Sequence, residues 1–402
     1  MSEDKENVNS KPVLPKLWIL VSLGAVGPLA MNIFIPSIPG LMLIFDSGYG
    51  QVQLVLTAYL ISMALAQLVV GPLSDRFGRR LVVLCGLVTC IVGSGLCICA
   101  SQIEVLVLGR VVQAIGASSG LVMSRTIIRD VFGIDRASSV MGYLTMAMVI
   151  VPMLSPIIGG VLDDAFGWEA SFVLVFIYVL IICLACLRCL QETRREPSDK
   201  EKTNTIISDF WWLLRQWKFN RYAFQISFSS AAFYTFLGGS PFVAIELFGA
   251  TKSEYGLYYM MAAGAYMLGN YFTGRYSIWL GSQKIIFLGT FTSLIGGLFL
   301  SYVYFTNILS TGSLFLGMSI IALGNGLSLP AGNAAAISAD TKRIGTAAGL
   351  SGFMQIGFGA AGAYIAGLLL SNSAAPLIVI MFGSVLLAFV INIIGERISV
   401  SR

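Results

Sequence analysis

The sequence predicts an all-α integral membrane protein, with twelve transmembrane helices in two pseudo-symmetric six-helix bundles. Three observations predict it. Hydrophobic residues make up 56% of the 402-residue chain and charged residues only 11%. An ordinary soluble domain carries about 25% charged residues, so this much apolar surface cannot be hidden inside a water-soluble globule. The apolar residues fall in runs of ~20, the length that crosses a bilayer as a helix. These runs stand six and six around one long charged stretch.

In chain order the spans cover residues 17–39, 51–71, 81–100, 104–127, 137–160, 169–190, 218–244, 255–275, 284–305, 311–333, 344–370 and 375–395. The expected organisation is a disordered cytoplasmic tail at 1–16, an N-terminal bundle at 17–190, a central cytoplasmic loop at 191–217, a C-terminal bundle at 218–395 and a second cytoplasmic tail at 396–402. The first run is longer than a signal-peptide core and lacks a small-x-small cleavage site, so it reads as a retained span. An even number of crossings puts both termini on one side.

Charge placement orients the chain. Of its 25 Lys and Arg residues, only Lys252 falls on the opposite side and only Arg110 well inside a span, the others lying in tails, in links or at the cytoplasmic ends of spans. Asp46, Glu104, Asp163, Asp164, Glu169, Glu246 and Glu254 lie on or near that opposite side. Basic residues are retained in the cytoplasm, so both termini are expected there, in a plasma membrane of the bacterial inner-membrane kind. The central "DFWWLLRQWKF" reads as an interfacial helix on the inner leaflet; a docking site for a soluble partner is the other reading.

Composition also excludes functions. All seven cysteines lie in apolar stretches, where the thiol packs as a small hydrophobe. "CLACLRC" lacks a fourth ligand and the chain has no His, so neither a metal site nor a disulfide is expected. No Gly-Lys-Ser/Thr phosphate loop and no Ser-His pair appears, which argues against ATP-driven transport and against an enzyme. No basic helix with interleaved aromatics suggests nucleic acid.

Four motifs remain. "GPLSDRFGRR", 71–80, sits between two greasy segments. Gly71 would permit close helix approach and Pro72 would end the second span. Asp75 could face the positive end of a neighbouring helix, while Arg76, Arg79 and Arg80, around Gly78, offer ion-pair donors or merely anchor topology. The fourth span carries "LGRVVQAIGAS", in which burying Arg110 costs about 2.5–3.5 kcal/mol or more. That cost suggests a water-filled cavity, with snorkelling as the alternative. The fifth span ends in "SPIIGG", where Pro156 kinks the helix and Gly159 and Gly160 allow tight packing. "NYFTGRYSIWLGSQK" after the eighth span weakly repeats the first motif at the matching place in the second half.

Together these motifs resemble the major facilitator superfamily, and most closely its Bcr/CflA branch of drug:proton antiporters, echoed also in "NIFIPSIP", "GSPFVAIELFG" and "GTAAGLSGFMQIGFGAAGA". The resemblance runs from Leu17 to Ile394. It implies the major facilitator fold, a gate at 71–80, an arginine motif matched by Leu106, Arg110, Gln113 and Gly116, and an antiporter motif at Ser155–Gly160. One position departs: the aspartate usual in the first span is Asn32, and an amide cannot titrate. Glu246 and Glu104 are then the substitutes for a proton site; otherwise the chain couples differently or not at all.

The expected function is export of hydrophobic or amphiphilic compounds by proton antiport. Asn32, Tyr59, Arg110, Gln113, Tyr143, Met146, Phe236, Tyr266, Asn333 and Gln355 are the cavity candidates, ordinary helix packing being the alternative for each. The partners would be a drug-like small molecule, protons and the lipid bilayer, with the chain acting as a monomer and no cofactor. A proton-independent facilitator or importer of one metabolite is the alternative within transport. A non-transporting sensor, working through its Trp-rich loop, is the alternative outside it.

Overall fold

The computed structural model describes residues 16–193, 206–337, 339, 344–371 and 373–400. All but the last residue of the expected N-terminal tail and much of the central loop lie outside the described residues, as do the side chains of Asp75, Tyr143 and Met146, whereas the expected C-terminal tail is helical as far as Val400. The helices are α1 (Leu17–Asn32), α2 (Leu41–Ile44), α3 (Tyr49–Phe77), α4 (Arg79–Ile98), α5 (Ile103–Phe166), α6 (Glu169–Cys189), α7 (Ile206–Leu214), α8 (Trp217–Pro241), α9 (Lys252–Leu280), α10 (Ser282–Phe305), α11 (Thr311–Ile337), α12 (Ile344–Leu369) and α13 (Ala375–Val400). Among the described residues ten stretches are long and apolar enough to cross a bilayer. The second half of α5 and α9 supply two more, completing twelve crossings. We call the side holding the termini the terminal face and the other the distal face.

Two expectations about helix ends are corrected. The fourth and fifth spans are not separated by a non-helical link, because α5 is helical over 64 residues. A straight helix of that length would measure ~96 Å, yet Gly120 lies against Leu23 and Gly159 against Ile33. Those contacts stand ~15 Å apart along the first span, while roughly 40 intervening residues of straight helix would span ~60 Å. The run therefore doubles back within the helix. Residues 128–136 contain no proline, so nothing there lacks an amide donor. Likewise Pro72 does not end the second span: α3 continues to Phe77 and stops at Gly78, whose φ of 93° disfavours side-chain-bearing residues.

The two halves repeat one packing scheme. In the first, α4 packs on α5 and α6; in the second, α10 packs on α11 and α13. Gly86 and Gly93 meet the backbone or side chains around Gly116 and Gln113, and Gly289 and Gly296 meet those around Gly324 and Ile321. A methyl at any of these glycines would strike its neighbour. Without a hydrophobic drive between helices in lipid, such small residues let backbones approach and gain dispersion energy.

Contacts between the halves run mainly through two helix pairs, α3 with α12 and α5 with α9. At the distal face they are tight. Lys252 Nζ binds Asp163 Oδ1 at 2.7 Å, Ser253 donates to Asp164, and Tyr49 donates to the Gly238 carbonyl. Gly160 backs onto the Lys252 carbonyl and Gly256 onto Ile157. Toward the terminal face the fit relaxes: a Cβ at Gly349 or Gly352 would stand 3.8 Å from Leu68 or 3.9 Å from Gln67.

Candidate functional site

The first helix of each half breaks at a corresponding place. α1 ends at Asn32 and gives way to a 3-10 turn, Ile35–Ser37, built around Pro36. Its counterpart α8 ends at Pro241 and passes into a π-helical turn, Phe242–Leu247. Proline removes a backbone donor, and π turns recur at functional sites. Polar side chains beside both breaks meet tyrosines of α9. Asn32 Oδ1 accepts from the Tyr259 hydroxyl at 3.4 Å, and Ser240 Oγ lies 2.9 Å from that of Tyr255. The two rings stack with centroids 6.3 Å apart, and Phe315 packs edge-on against Tyr255 at 5.4 Å. All of these residues are buried. The result is an aromatic seam with a few hydroxyls and one amide, joining the halves about two turns below the distal face.

Arg110 lies inside the N-terminal half, fully buried. Its Nη1 donates to the Ala30 carbonyl at 2.8 Å and to Gln113 Oε1 at 2.6 Å, and Nε reaches the Val55 carbonyl at 3.4 Å. The guanidinium stands 4.1 Å from the Tyr59 ring centroid, with Phe34 and Phe172 at 5.6 and 5.7 Å. Ala30 lies in the last turn of α1, the negative end of the helix dipole. The charge is thus offset by a helix end and ring faces.

The other expected cavity residues divide among three places. Tyr59, which donates to the Gly27 carbonyl, and Gln113, which donates to Ser94, belong with Arg110 inside the first half. Phe236 packs edge-on against Phe315 inside the second half, at 5.2 Å. Gln355 donates to Ser230 at 2.7 Å between α12 and α8, and Tyr266 and Asn333 are half-buried. Only Asn32 is placed directly on the seam. Tyr255, Tyr259 and Ser240 escaped the sequence reading, although Tyr255 and Tyr259 stand one helical turn apart, a spacing that puts them on one face.

At the terminal face the 71–80 motif is tied to the end of the first half. Arg79 and Arg80 donate their backbone amides to Glu192 at 2.8 and 3.1 Å, so this carboxylate sits on the N-terminus of α4, where the dipole favours an anion. Arg79 Nη1 also reaches Ser74, and Arg80 Nη2 the Leu187 carbonyl. Arg76 stands over the Phe77 ring. Among the described residues, nothing lies within 4 Å of where a Cβ on Gly71 would stand. The proton-site candidates Glu104 and Glu246 are both exposed; among the described residues the buried acid is Asp163.

A pair of six-helix membrane bundles, meeting along a seam between two interrupted helices, defines a transporter rather than an enzyme. The chain belongs to the Major Facilitator Superfamily, whose family model matches residues 20–363. It is 27% identical over 380 residues to the uncharacterized MFS-type transporter YdgK of Bacillus subtilis, covering 94% of each chain. It is 27% identical to multidrug resistance protein D of Escherichia coli, covering 84% of this chain and 85% of that one. It is 25% identical to a bicyclomycin resistance protein homolog of Haemophilus influenzae, covering 91% and 92%. These names fit the Bcr/CflA branch to which the motifs point. Among solved structures, a bacterial homolog of the human lysosomal transporter Spinster, inward-facing and unoccupied, superposes with a TM-score of 0.74 at 15% identity, covering 95% of this chain and 96% of that one.

Proposed function

We propose that the chain exports hydrophobic or amphiphilic drug-like molecules across a bacterial inner membrane, by alternating access and against protons. It works as a monomer with both termini in the cytoplasm. The observation that carries this reading is the pair of corresponding helix breaks joined through Tyr255 and Tyr259. Interrupted helices at matched places in two repeats mark the substrate site in transporters. The seam offers what a broadly selective apolar site needs: ring faces and a few polar groups that fix orientation. Relatives named for multidrug and bicyclomycin resistance support the drug class, and the basic terminal face supports the orientation.

Export requires the distal contacts to part, so this conformation is the one closed toward the outside. Arg110, bonded to the end of α1, fixes where that helix breaks and so where Asn32 meets the other half. The 71–80 motif, with Glu192, holds the opposite gate. Drug accumulation, compared in cells with and without the protein under a controlled proton gradient, tests the reading. Lower accumulation is expected with the protein and not with its Arg110→Ala form; accumulation indifferent to both rejects export. Proton release from purified protein on adding drug, repeated with Glu246→Gln, asks whether that exposed acid carries the proton.

One observation favours a second reading. Asn32 occupies the seam where an acid would titrate, and buried Asp163 is paired with Lys252. A proton-independent facilitator of one metabolite would show saturable uptake that persists after the gradient collapses.

A further inference from the structure

Gln53, in the first turns of α3, is fully buried, and neither its amide nitrogen nor its amide oxygen has a hydrogen-bond partner. It lies between the halves. A methyl added to Gly367 of α12 would strike its Cβ and Cγ, and one added to Gly238 of α8 would strike its Nε2. The side chain therefore fills a notch left by two glycines of the opposite half. Deeper on α3 and α8, the hydroxyls of Thr57 and Thr235 are likewise buried without partners. Buried polar groups are normally satisfied, and one left unpaired carries its full desolvation cost. Here both ends of one amide are orphaned at the contact that must open.

We infer that Gln53 is a positioning residue that sets the balance of the transport cycle: its shape closes the distal face and its orphaned amide keeps that closure shallow. Shape and polarity act with opposite signs. Filling the glycine notch pushes the halves apart, whereas replacing the amide by an apolar group of equal length removes the penalty and deepens closure. A residue that merely stabilised the fold would give the same sign for both. The inference rests on the alternating-access reading but not on any drug or proton.

The test is the rate at which a maleimide modifies a single cysteine at Ser37→Cys, in detergent-purified full-length protein whose native cysteines are replaced. Ser37 is buried in the turn that packs against α8 and α9, so modification waits for the distal face to open. Gln53→Met should slow the reaction by about fivefold or more, the factor that corresponds to ~1 kcal/mol, the low end of the cost of one orphaned group. Gly367→Ala should accelerate it. If Gly367→Ala does not fold, Gln53→Gly combined with Gly367→Ala removes both atoms that the new methyl would strike and should return the rate toward that of the parent. An unchanged or faster rate in Gln53→Met, an unchanged or slower rate in Gly367→Ala, or a folded double variant that stays fast overturns the inference. Because no transport is measured, failure of drug export in cells would refute the proposed function without deciding this result.

Discussion

At the scale of the residue, Arg110 shows how a lone cation is kept inside a membrane protein. Its fork joins α1, α3 and α5 through two backbone carbonyls and Gln113, and charge-assisted bonds of this kind are each worth ~1.5–3 kcal/mol. Arg110→Ala should lower the thermal unfolding midpoint of purified protein by several degrees. Arg110→Lys should recover less than half of that, because an ammonium cannot present the planar fork. Tyr259→Phe should behave differently. Its 3.4 Å bond to Asn32 joins neutral groups and is worth about 1 kcal/mol or less, so melting should hardly move while drug accumulation in cells rises. Arg110 was legible in the sequence because the other basic residues within spans, such as Arg125 and Arg221, stand near span ends. Its partners were not, since a carbonyl exposed near a helix end leaves no letter in the sequence. Asn32 was legible as a departure from a motif, but the tyrosine it meets lies 227 residues away.

At the scale of the element, spans were readable because the apolar runs are long, and their junctions were less so. Pro72 looked like a terminator, yet a helix whose lost donor is tolerated can run on until Gly78 turns it. The apparent link between the fourth and fifth spans stays helical because its sequence offers no stop. The repeat was sought in the loops, where it is faint; its firmer trace is the seven-residue spacing of Gly86 with Gly93 and Gly109 with Gly116, matched by Gly289 with Gly296 and Gly317 with Gly324. Gly116→Leu and Gly324→Leu should both prevent stable folding, since the added side chain meets backbone and overpacking costs at least ~1–3 kcal/mol. Gly95→Leu and Gly383→Leu, where nothing among the described residues lies within 4 Å, should express and melt like the parent. Size-exclusion profiles of the four variants check this. Glu192 was invisible for another reason: it caps α4 from beyond the sixth span, and only the fold brings the two together.

At the scale of the whole molecule, the halves are pinned at the distal face and touch more loosely toward the terminal one. Lys252, the one basic residue read on the outer side, forms an ion pair across the halves with Asp163. Reversing one charge should loosen the distal face. Lys252→Asp alone should speed modification of a cysteine at Ser37→Cys, and adding Asp163→Lys should restore the slower rate.

The claim on which the account turns is that these distal contacts separate and re-form in every transport cycle. A reversible disulfide between Asp164→Cys and Ser253→Cys, whose short side chains touch across the distal face, formed in a background without native cysteines, tests it most directly by drug efflux from loaded cells. The account predicts that efflux stops on oxidation and returns on reduction. Efflux that continues at its full rate through the oxidised bridge would contradict it.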